Sequence, residues 1–354
     1  MLRKIQKLIL VAFSATGLVR VIEPITGGKG AILMLHRVRA RPNRAFQPNE
    51  HLEITPKFLS TVLSYVKKQG MDFIPLDDMP SRLANPSPRR FVAITLDDAS
   101  LDNLTDALPV FKAHNCPFTI YTTSGFADRT ALPWWMVLEE ILLKQPIVDA
   151  HSIGGRSAEV VGTTRQKYSV FERLVLRFVA LPEDEKQSRI STFAAEHGFD
   201  TSALMERNFM NWDHLREIAA CPLATIGGHT TSHPMLSRLS EEDADAEVIN
   251  GARRIEQELG VYPKHFAYPY GKSVAASRAA FKIIERLGFE TAVTTRGGIL
   301  HGAGRERIHA LPRLSLNGHY QDTRVLSSLL SGAPYLASSV SKNENLTFAE
   351  AEPA

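Results

Sequence analysis

Cysteine is nearly absent from this 354-residue chain, which contains only Cys116 and Cys221. The two residues follow no metal-binding or redox spacing, so the sequence excludes a cysteine-rich zinc site and a disulfide-rich scaffold. One disulfide between them stays open as an alternative. The composition favours two small apolar residues of a reduced protein.

A strong excess of charge is also missing. The 41 Lys and Arg residues nearly balance the 38 Asp and Glu residues, the net charge is +3, and no long basic run is present. This balance argues against nucleic acid as a partner. With 44% hydrophobic residues, the chain is long enough to bury a large core, as one α/β barrel or as one domain with a sizeable insertion.

The chain has no apolar run at its N-terminus that is long enough to span a bilayer. Residues 8–13 are apolar and follow Arg3, Lys4 and Lys7, but the run ends at Ser14. This pattern resembles a signal peptide without a good cleavage site. We therefore expect the mature protein to keep its first residues and to work in the cytoplasm or at the inner face of the membrane, with secretion left open as the alternative.

The segment 1–30 has its apolar residues at helical spacing, which predicts an amphipathic helix. These residues are Leu2, Ile5, Ile9, Ala12 and Phe13. The helix either packs on the main domain, which is the favoured interpretation, or lies on a membrane surface as a peripheral contact.

Strands and helices alternate along most of the remaining chain, which predicts a parallel sheet in an α/β fold. Strands are predicted at 31–35, 72–76, 91–96, 117–123, 224–228, 265–271, 291–295 and 311–316. Between about 132 and 215 the pattern is largely helical, which we interpret as an insertion that either shapes a substrate cleft or only covers the core. We expect a main domain over 31–320 and a C-terminal segment over 321–354 that is mobile from about Ser338.

Two adjacent carboxylates end the apolar strand 91–96. Asp97 and Asp98 follow it directly, at the strand end where α/β proteins bind their ligands. Acids in a buried sheet require a partner, a helix N-terminus or a metal. Taken alone, the pair is better explained as a cap of the helix that begins near Leu101.

Two histidines follow the strand 224–228. The spacing of His229 and His233 can place both imidazoles on one side of a helical turn or a tight loop. Alone, such a pair is weak evidence for a metal site, since many histidine pairs with this spacing are solvated loop residues. Together with a carboxylate at a neighbouring strand end, the histidines make a three-ligand site with positions left for water, which is typical of a catalytic metal. Zinc is the first choice, and cobalt, nickel, manganese or iron would also fit.

Three motifs in order resemble those of the NodB-homology polysaccharide deacetylases, carbohydrate esterase family four. They are residues 95–98, 229–234 and 266–271, and residues 33–38 are similar to the first strand of many members. Three ordered motifs are specific where each alone is not, and the resemblance covers roughly 31–320 outside the insertion. It implies a distorted β/α barrel and a metal-dependent enzyme that deacetylates N-acetylated sugars of an oligo- or polysaccharide.

The resemblance also implies roles by position. Asp98, His229 and His233 would be the metal ligands, and Asp97 would be the general base. Tyr270 lies where a backbone N–H of the family helps to bind the oxyanion. This assignment is chemically coherent, because a divalent metal polarises a carbonyl and activates water, while a positioned carboxylate accepts the proton of that water.

The chain departs from the family pattern at several positions. Leu96 and Ala99 stand where the family usually has Phe and Gly, and Ala267 stands where it often has an Arg that orients the base. Arg313, at the end of the last strand, is the candidate to replace that Arg. Its alternative is an ordinary surface arginine.

The family motif that supplies the general acid is not clearly present. His36 and His309 are the candidates to replace it, and each taken singly is better explained as a histidine without a catalytic role. Two rival functions therefore stay open. One is a catalytically silent carbohydrate-binding barrel, against which the complete ligand set argues, and the other is a metal-dependent amidohydrolase with a non-sugar substrate.

Overall fold

The computed structural model describes residues 2–85, 87, 89–302 and 307–336, with side chains from residue 5 onward. Within these residues the strands are β1 Gly30–Leu35, β2 Arg37–Val38, β3 Glu53–Ile54, β4 Asp72–Phe73, β5 Phe91–Leu96, β6 Phe118–Thr122, β7 Ile147–Val148, β8 Glu159–Val160, β9 Ala224–Gly228, β10 His265–Ala267, β11 Thr291–Val293 and β12 Leu314–Ser315.

The α-helices of the same residues are α1 Leu2–Ala15, α2 Leu18–Thr26, α3 Pro56–Lys68, α4 Met79–Ala84, α5 Leu108–His114, α6 Ser124–Ala127, α7 Trp134–Lys144, α8 Thr164–Ala180, α9 Glu183–Glu196, α10 Thr201–Asn208, α11 Trp212–Ala219, α12 Glu241–Leu259, α13 Arg278–Arg286 and α14 Thr323–Leu330.

A parallel sheet of seven strands curls into a distorted barrel, as the sequence predicts. The strand order is β12, β1, β5, β6, β9, β10, β11, and the short β4 pairs with the first residues of β5. The last segment also reaches back to β11, since Leu311 bridges to Val293. Every residue of β1 and β5 is buried, which is typical of parallel strands covered on both faces.

The register of these strands brings the predicted site residues to one edge of the sheet. Leu35 pairs with Leu96, so His36 and Asp97 follow neighbouring strand ends. Strand β6 lies between β5 and β9, and Thr122 of β6 pairs with Gly228 of β9. His229 therefore follows the end of β9, two strands away from Asp97 at the end of β5. Parallel strands present their carboxyl ends at the same edge, which explains why residues 36, 97 and 229 meet in space.

Several strands and helices are shorter than the sequence predicts, and proline explains two of the differences. The strand predicted at 265–271 ends at Ala267 because Pro269 has no N–H for the ladder, and Pro312 limits β12 in the same way. The helix predicted to follow the two acids begins with a π-turn at Asn103–Ala107 before α5, a distortion that is frequent near functional sites.

The chain between β6 and β9 forms helices α6–α11. Helices α7, α8 and α9 have a hydrophobic core of their own, which includes Val137, Leu142, Leu174, Phe178 and Phe193. Helix α8 begins with a capping box between Thr163 and Gln166, which satisfies amide groups at its N-terminus. The insertion is therefore a separately packed layer over one end of the barrel.

The N-terminal segment folds as two helices instead of one. They separate at Gly17, whose φ of 75° lies in the left-handed region that favours glycine. No single helix of the described residues is long and apolar enough to cross a membrane. Residues 5–15 and 18–26 meet that test only as a pair, and the two helices are bent by 94°.

Both cysteines are free and buried, in the same hydrophobic core of the barrel. The domain boundaries at residues 30 and 320 stay predictions. Helix α14 lies in the predicted C-terminal segment, and the predicted mobile tail from about Ser338 lies outside the described residues.

Candidate active site

Asp98, His229 and His233 converge at the carboxyl edge of the barrel. The Nε2 atoms of both histidines lie 3.5 Å from the same oxygen, Asp98 Oδ1. One ligand atom from each residue lies within 4.8 Å of the others, and the group is the one candidate metal site found among the described residues. The three residues that the sequence predicts as ligands are thus brought together.

The donor set fits a divalent metal ion. Asp98 Oδ1 is buried and has no hydrogen-bond partner among the described residues, and a buried carboxylate oxygen without a partner is costly. Ligand atoms about 2.0–2.2 Å from a tetrahedral zinc lie roughly 3.4 Å apart, close to the 3.5 Å separations observed. Two imidazoles and one carboxylate also suit iron, cobalt, nickel or manganese, so the metal's identity stays a prediction.

His229 is held in the tautomer that a metal ligand requires. Its Nδ1 lies 2.7 Å from the backbone oxygen of Ala267, and a carbonyl oxygen only accepts, so Nδ1 carries the proton and Nε2 is directed toward Asp98. Hydrogen bonding behind a ligating histidine fixes its orientation and basicity. Ala267, which replaces the family's arginine in the sequence, therefore contributes through its backbone.

His233 lies in an aromatic cage made by Phe126, Trp135 and Tyr270, with ring centroids 4.9–6.0 Å from the imidazole. Burial lowers the pKa of His233 to about 3, against the opposing influence of Asp98. The imidazole is consequently neutral at neutral pH, which is the form that binds a metal.

Asp98 is held in its anionic form. Burial favours a higher pKa for this carboxyl group, but the neighbouring His229 and His233 hold its pKa well below the usual value. In return Asp98 raises the pKa of His229 against the effect of burial. A metal ion would replace the proton that this arrangement attracts.

Helix α12 fixes the loop that carries the two histidines. The carboxylate of Glu247 accepts hydrogen bonds from the amides of Thr231 and Ser232, at 3.0 and 2.9 Å. The helix approaches closely because residue 251 is glycine, where a β-carbon would lie 2.8 Å from the carbonyl of Thr230. The sequence analysis missed Glu247, which lies in a helix with many charged residues and has no local motif.

Asp97 has different partners from Asp98. Arg313 donates from both terminal nitrogens to the two oxygens of Asp97, each at 2.7 Å. Its Nε donates to Thr294 O at 2.8 Å. The guanidinium is 1% exposed, so the alternative of a surface arginine is wrong. Burial raises the pKa of Asp97, but the charge and hydrogen bonds of Arg313, together with His229 and His36, outweigh it, and the pKa lies below its ordinary value.

The two histidines that the sequence analysis named as candidates for the general acid lie in different places: one lines the cleft and the other does not. His36 lines the cleft, and its Nε2 lies 3.9 Å from Asp97 Oδ2. Asn103 donates to the backbone oxygen of His36, which fixes that strand end. His309 instead bonds through Nε2 to Phe289 O and is not among the cleft-lining residues.

Tyr270 is the centre of a tight turn beside the metal ligands. Gly271 N donates to Pro269 O at 2.7 Å, and Tyr270 has a φ of 60°, as in a γ-turn. Among the described residues no hydrogen bond from the Tyr270 amide is found. Trp134 Nε1 donates to the Tyr270 hydroxyl at 2.9 Å, so the insertion is joined to this turn.

Backbone strain is concentrated at the site. Among the described residues seven other than glycine have positive φ, and five of them are site residues or their neighbours: Asp98, Ala99, Thr230, His233 and Tyr270. Such conformations cost about 1–2 kcal/mol each and persist where surrounding structure imposes them. Ala99, with a φ of 54°, shows why the family's first motif usually has glycine at this position.

The site opens into a cleft of about 140 Å³ between the barrel edge and the helical insertion. Helices α7 and α8 contribute Trp134, Trp135, Phe171 and Val175 to its walls. The insertion therefore lines this cleft, and its role in shaping a substrate cleft stays a prediction. The sequence analysis gave the two tryptophans no role, although adjacent tryptophans directly after Pro133 were a signal.

Residues 184–292 match the family model described as polysaccharide deacetylase. The resemblance to this family predicted from the three motifs is confirmed. The matched region contains His229, His233 and Tyr270 but not Asp97 or Asp98, whose place in the site rests on the geometry. A search of curated protein sequences finds no match.

Solved structures of deacetylases have the same fold. The Streptococcus pyogenes deacetylase PplD, solved with acetate, is 16% identical with a TM-score of 0.55 over 84% of this chain and 97% of its own. IcaB from Ammonifex degensii is 17% identical with a TM-score of 0.55 over 86% and 98%. A de-N-acetylase from Aggregatibacter actinomycetemcomitans is 13% identical with a TM-score of 0.51 over 84% and 99%. At these identities the similarity establishes the distorted-barrel fold.

Proposed function

We propose that this protein is a metal-dependent deacetylase that removes acetyl groups from N-acetylglucosamine units of an oligo- or polysaccharide. The observation that carries the proposal is the pairing of two sites in one cleft. Asp98 Oδ1 lies 3.5 Å from the Nε2 atoms of His229 and His233 and has no hydrogen-bond partner among the described residues, while the adjacent Asp97 is held ionised by Arg313. The polysaccharide deacetylase family match supports the reaction type.

Asp98, His229 and His233 would hold the metal ion. When bound, a divalent ion polarises the acetamide carbonyl and lowers the pKa of water at the site. Asp97 would accept the proton of the attacking water, as its ionised state allows. The fork with Arg313 keeps the carboxylate oriented through two charge-assisted hydrogen bonds.

Two further tasks, binding of the oxyanion and protonation of the leaving amine, would be performed by Tyr270 and His36. The amide of Tyr270 would donate to the oxygen of the tetrahedral intermediate, where a fixed backbone N–H stabilises developing charge. His36 would give a proton to the departing sugar amine, since it lines the cleft beside Asp97. Acetate and a free amino sugar are the products.

A silent carbohydrate-binding barrel would have no use for this arrangement. Asp98 Oδ1 without a partner and strained ligand residues both destabilise the fold, and a barrel that only bound sugar would not require them. We therefore place the enzymatic function first.

A second candidate is an amidohydrolase with a non-sugar acetamide substrate. The observation that favours it is the apolar wall of the cleft, to which Trp135, Phe171 and Val175 contribute. Such a wall would accept an apolar group next to the scissile amide as readily as a sugar ring.

Acetate release across a substrate panel tests both candidates. The panel would contain chitooligosaccharides, peptidoglycan fragments, acetylated exopolysaccharides and small non-sugar acetamides, each with metal-loaded and metal-depleted protein. We expect metal-dependent release from a glycan. Release from the non-sugar amides alone would favour the second candidate, and no release from any substrate by metal-loaded protein would contradict both.

A further inference from the structure

Helices α1 and α2 carry an unusual share of the apolar surface. Twelve large hydrophobic side chains of the described residues are exposed, and half of them lie on these two short helices. They are Ile5, Leu8, Ile9, Leu18, Val21 and Ile25, which we call the N-terminal apolar face. Apolar residues clustered in this way mark an interaction surface, whereas exposed apolar residues scattered singly do not.

The two helices are held on the barrel by their opposite sides. Leu10 of α1 is buried, and Ser328 of α14 donates to its backbone oxygen at 2.6 Å. In α2, Val19 and Thr26 are buried. Each helix therefore docks through one side, and residues 5, 8 and 9 of α1 and 18, 21 and 25 of α2 recur at helical spacing on the other.

The charge of this segment differs from that of the rest of the chain. Residues 1–30 contain five of the 41 basic residues and one of the 38 acidic residues, so the segment is net +4. The rest of the chain, with 36 basic and 37 acidic residues, is net −1. The one acid, Glu23, is paired with Arg90 of the barrel, and Arg20 is exposed with no ion pair among the described residues.

We propose that the N-terminal apolar face binds the surface of an anionic lipid bilayer. Apolar side chains would enter the boundary between headgroups and acyl chains, while basic side chains would contact anionic headgroups. A second copy of the chain is a poorer occupant. A symmetric dimer interface built from the same patch on both copies would bring two segments of net +4 against each other.

Contacts of α1 also lead to a wall of the cleft. Gln6 of α1 accepts from the Tyr320 hydroxyl at 3.4 Å, and the adjacent His319 lies beside His51, with ring centroids 6.1 Å apart. His51 lines the cleft. Helix α1 is therefore linked through residues 319 and 320 to a wall of the cleft.

Vesicle flotation with the full chain tests this assignment. One set of vesicles is phosphatidylcholine alone, and the other contains three parts phosphatidylcholine to one part phosphatidylglycerol. We expect binding to the anionic vesicles and much weaker binding to the neutral ones. The triple variant Leu8→Glu, Val21→Glu, Ile25→Glu should bind at least about a hundredfold more weakly, because three side chains can no longer enter the bilayer.

A matched control replaces three apolar residues that are equally exposed elsewhere. Val160, Leu176 and Val261 are each more than half exposed, and their change to Glu should leave vesicle binding unchanged. Lys7→Gln with Arg20→Gln should weaken binding roughly fivefold for each charge removed. The corresponding control, Arg165→Gln with Lys282→Gln, should bind like the wild type. Thermal unfolding of every variant by circular dichroism checks that the barrel is intact.

Several results would overturn the proposal. Three of them come from flotation: a wild-type chain that binds neither kind of vesicle, equal binding to both kinds, and equal loss of binding in the control triple variant. A fourth comes from light scattering after gel filtration. A dimer that the Leu8, Val21 and Ile25 substitutions dissociate, in a protein that does not bind vesicles, would assign the face to a second copy.

Discussion

Asp97 and Asp98 are neighbours in sequence but belong to two different regions of the site. Both oxygens of Asp97 accept hydrogen bonds from Arg313, so this region is complete with protein groups alone. Asp98 Oδ1 lies between two imidazoles and has no hydrogen-bond partner in the described part of the chain. The region of Asp97 is completed by the chain itself, and under the proposed function a metal ion completes the region of Asp98.

The difference arises from the backbone at the end of β5. Successive side chains of a strand point to opposite sides, so Asp97 and Asp98 could not share partners while the chain stayed extended. Asp98 has a φ of 73°, which turns the chain and directs the second carboxylate toward β9. This turn therefore gives the two carboxylates different partners, which fits the proposed division between proton transfer by Asp97 and metal binding by Asp98.

Removal of the metal ligands should have the largest effect. His229→Ala with His233→Ala leaves one of three ligands, and we expect zinc affinity to fall by more than about a hundredfold, because loss of a hydrogen-bond partner behind a ligand already costs about 10–100-fold. Activity should disappear with the metal. Metal analysis by mass spectrometry after dialysis measures occupancy. His309→Ala, outside the cleft, is the control, and full occupancy in the double variant would contradict the site.

Asp97→Asn should separate the two regions. The variant keeps the size of the side chain but removes the base, so metal should stay bound while turnover falls by about a hundred- to ten-thousand-fold. Asp98→Asn is the matched change on the neighbouring residue and should lower metal affinity as well. If both variants lost metal equally, or if Asp97→Asn remained fully active, the division of tasks between the two carboxylates would be wrong.

His36→Gln should have a smaller effect than loss of the base. If His36 protonates the leaving amine, its loss should lower turnover by roughly a hundredfold for a poor leaving group. An activated acetyl ester, whose leaving group needs no proton, should be hydrolysed nearly as fast as by the wild type. The comparison of the two substrates is the measurement, and equal losses on both would indicate a positioning role beside Asp97.

Local sequence predicted the barrel and the ligand set but not what surrounds them. Residues 95–98 form a contiguous motif at a strand end, so the place of its two carboxylates follows from rules about parallel sheets. Arg313 was predictable only as a candidate, because its contact with Asp97 spans 216 residues. No local pattern could reveal such a partner.

The parts of the site that sequence missed are those made by packing between distant elements. Glu247 acts through its position on α12 against the histidine loop, and Trp134 acts through a hydrogen bond from the insertion to Tyr270. Both residues fit their helices without any functional explanation. The extra break at Gly17 in the N-terminal helix could have been found, since a glycine in a helical pattern often marks a helix end.

Arg313→Ala tests whether Asp97 depends on Arg313 and not on the groups around Asp98. Of the substitutions described, it should lower maximal turnover least, by roughly tenfold. In the wild type burial raises the pKa of Asp97, but the charge and hydrogen bonds of Arg313, with smaller contributions from two histidines, hold it below the ordinary value. Without it, burial dominates and the pKa should rise above the ordinary value. The acidic limb of the pH–rate profile should therefore move to higher pH, with activity recovered as the pH rises.

Stability should change in a related way. A depressed carboxyl pKa stabilises the fold above the unfolded pKa, and this contribution is lost as the pH falls through the folded pKa. Removing one partner of a buried ion pair costs about 3–5 kcal/mol, so chemical unfolding near neutral pH should show this loss. Arg254→Ala, which breaks the half-exposed fork with Asp128, is the control and should leave the pH–rate profile unchanged. An unshifted acidic limb in Arg313→Ala would mean that Asp97 is kept ionised by the metal region, and the two carboxylates would then form one coupled unit.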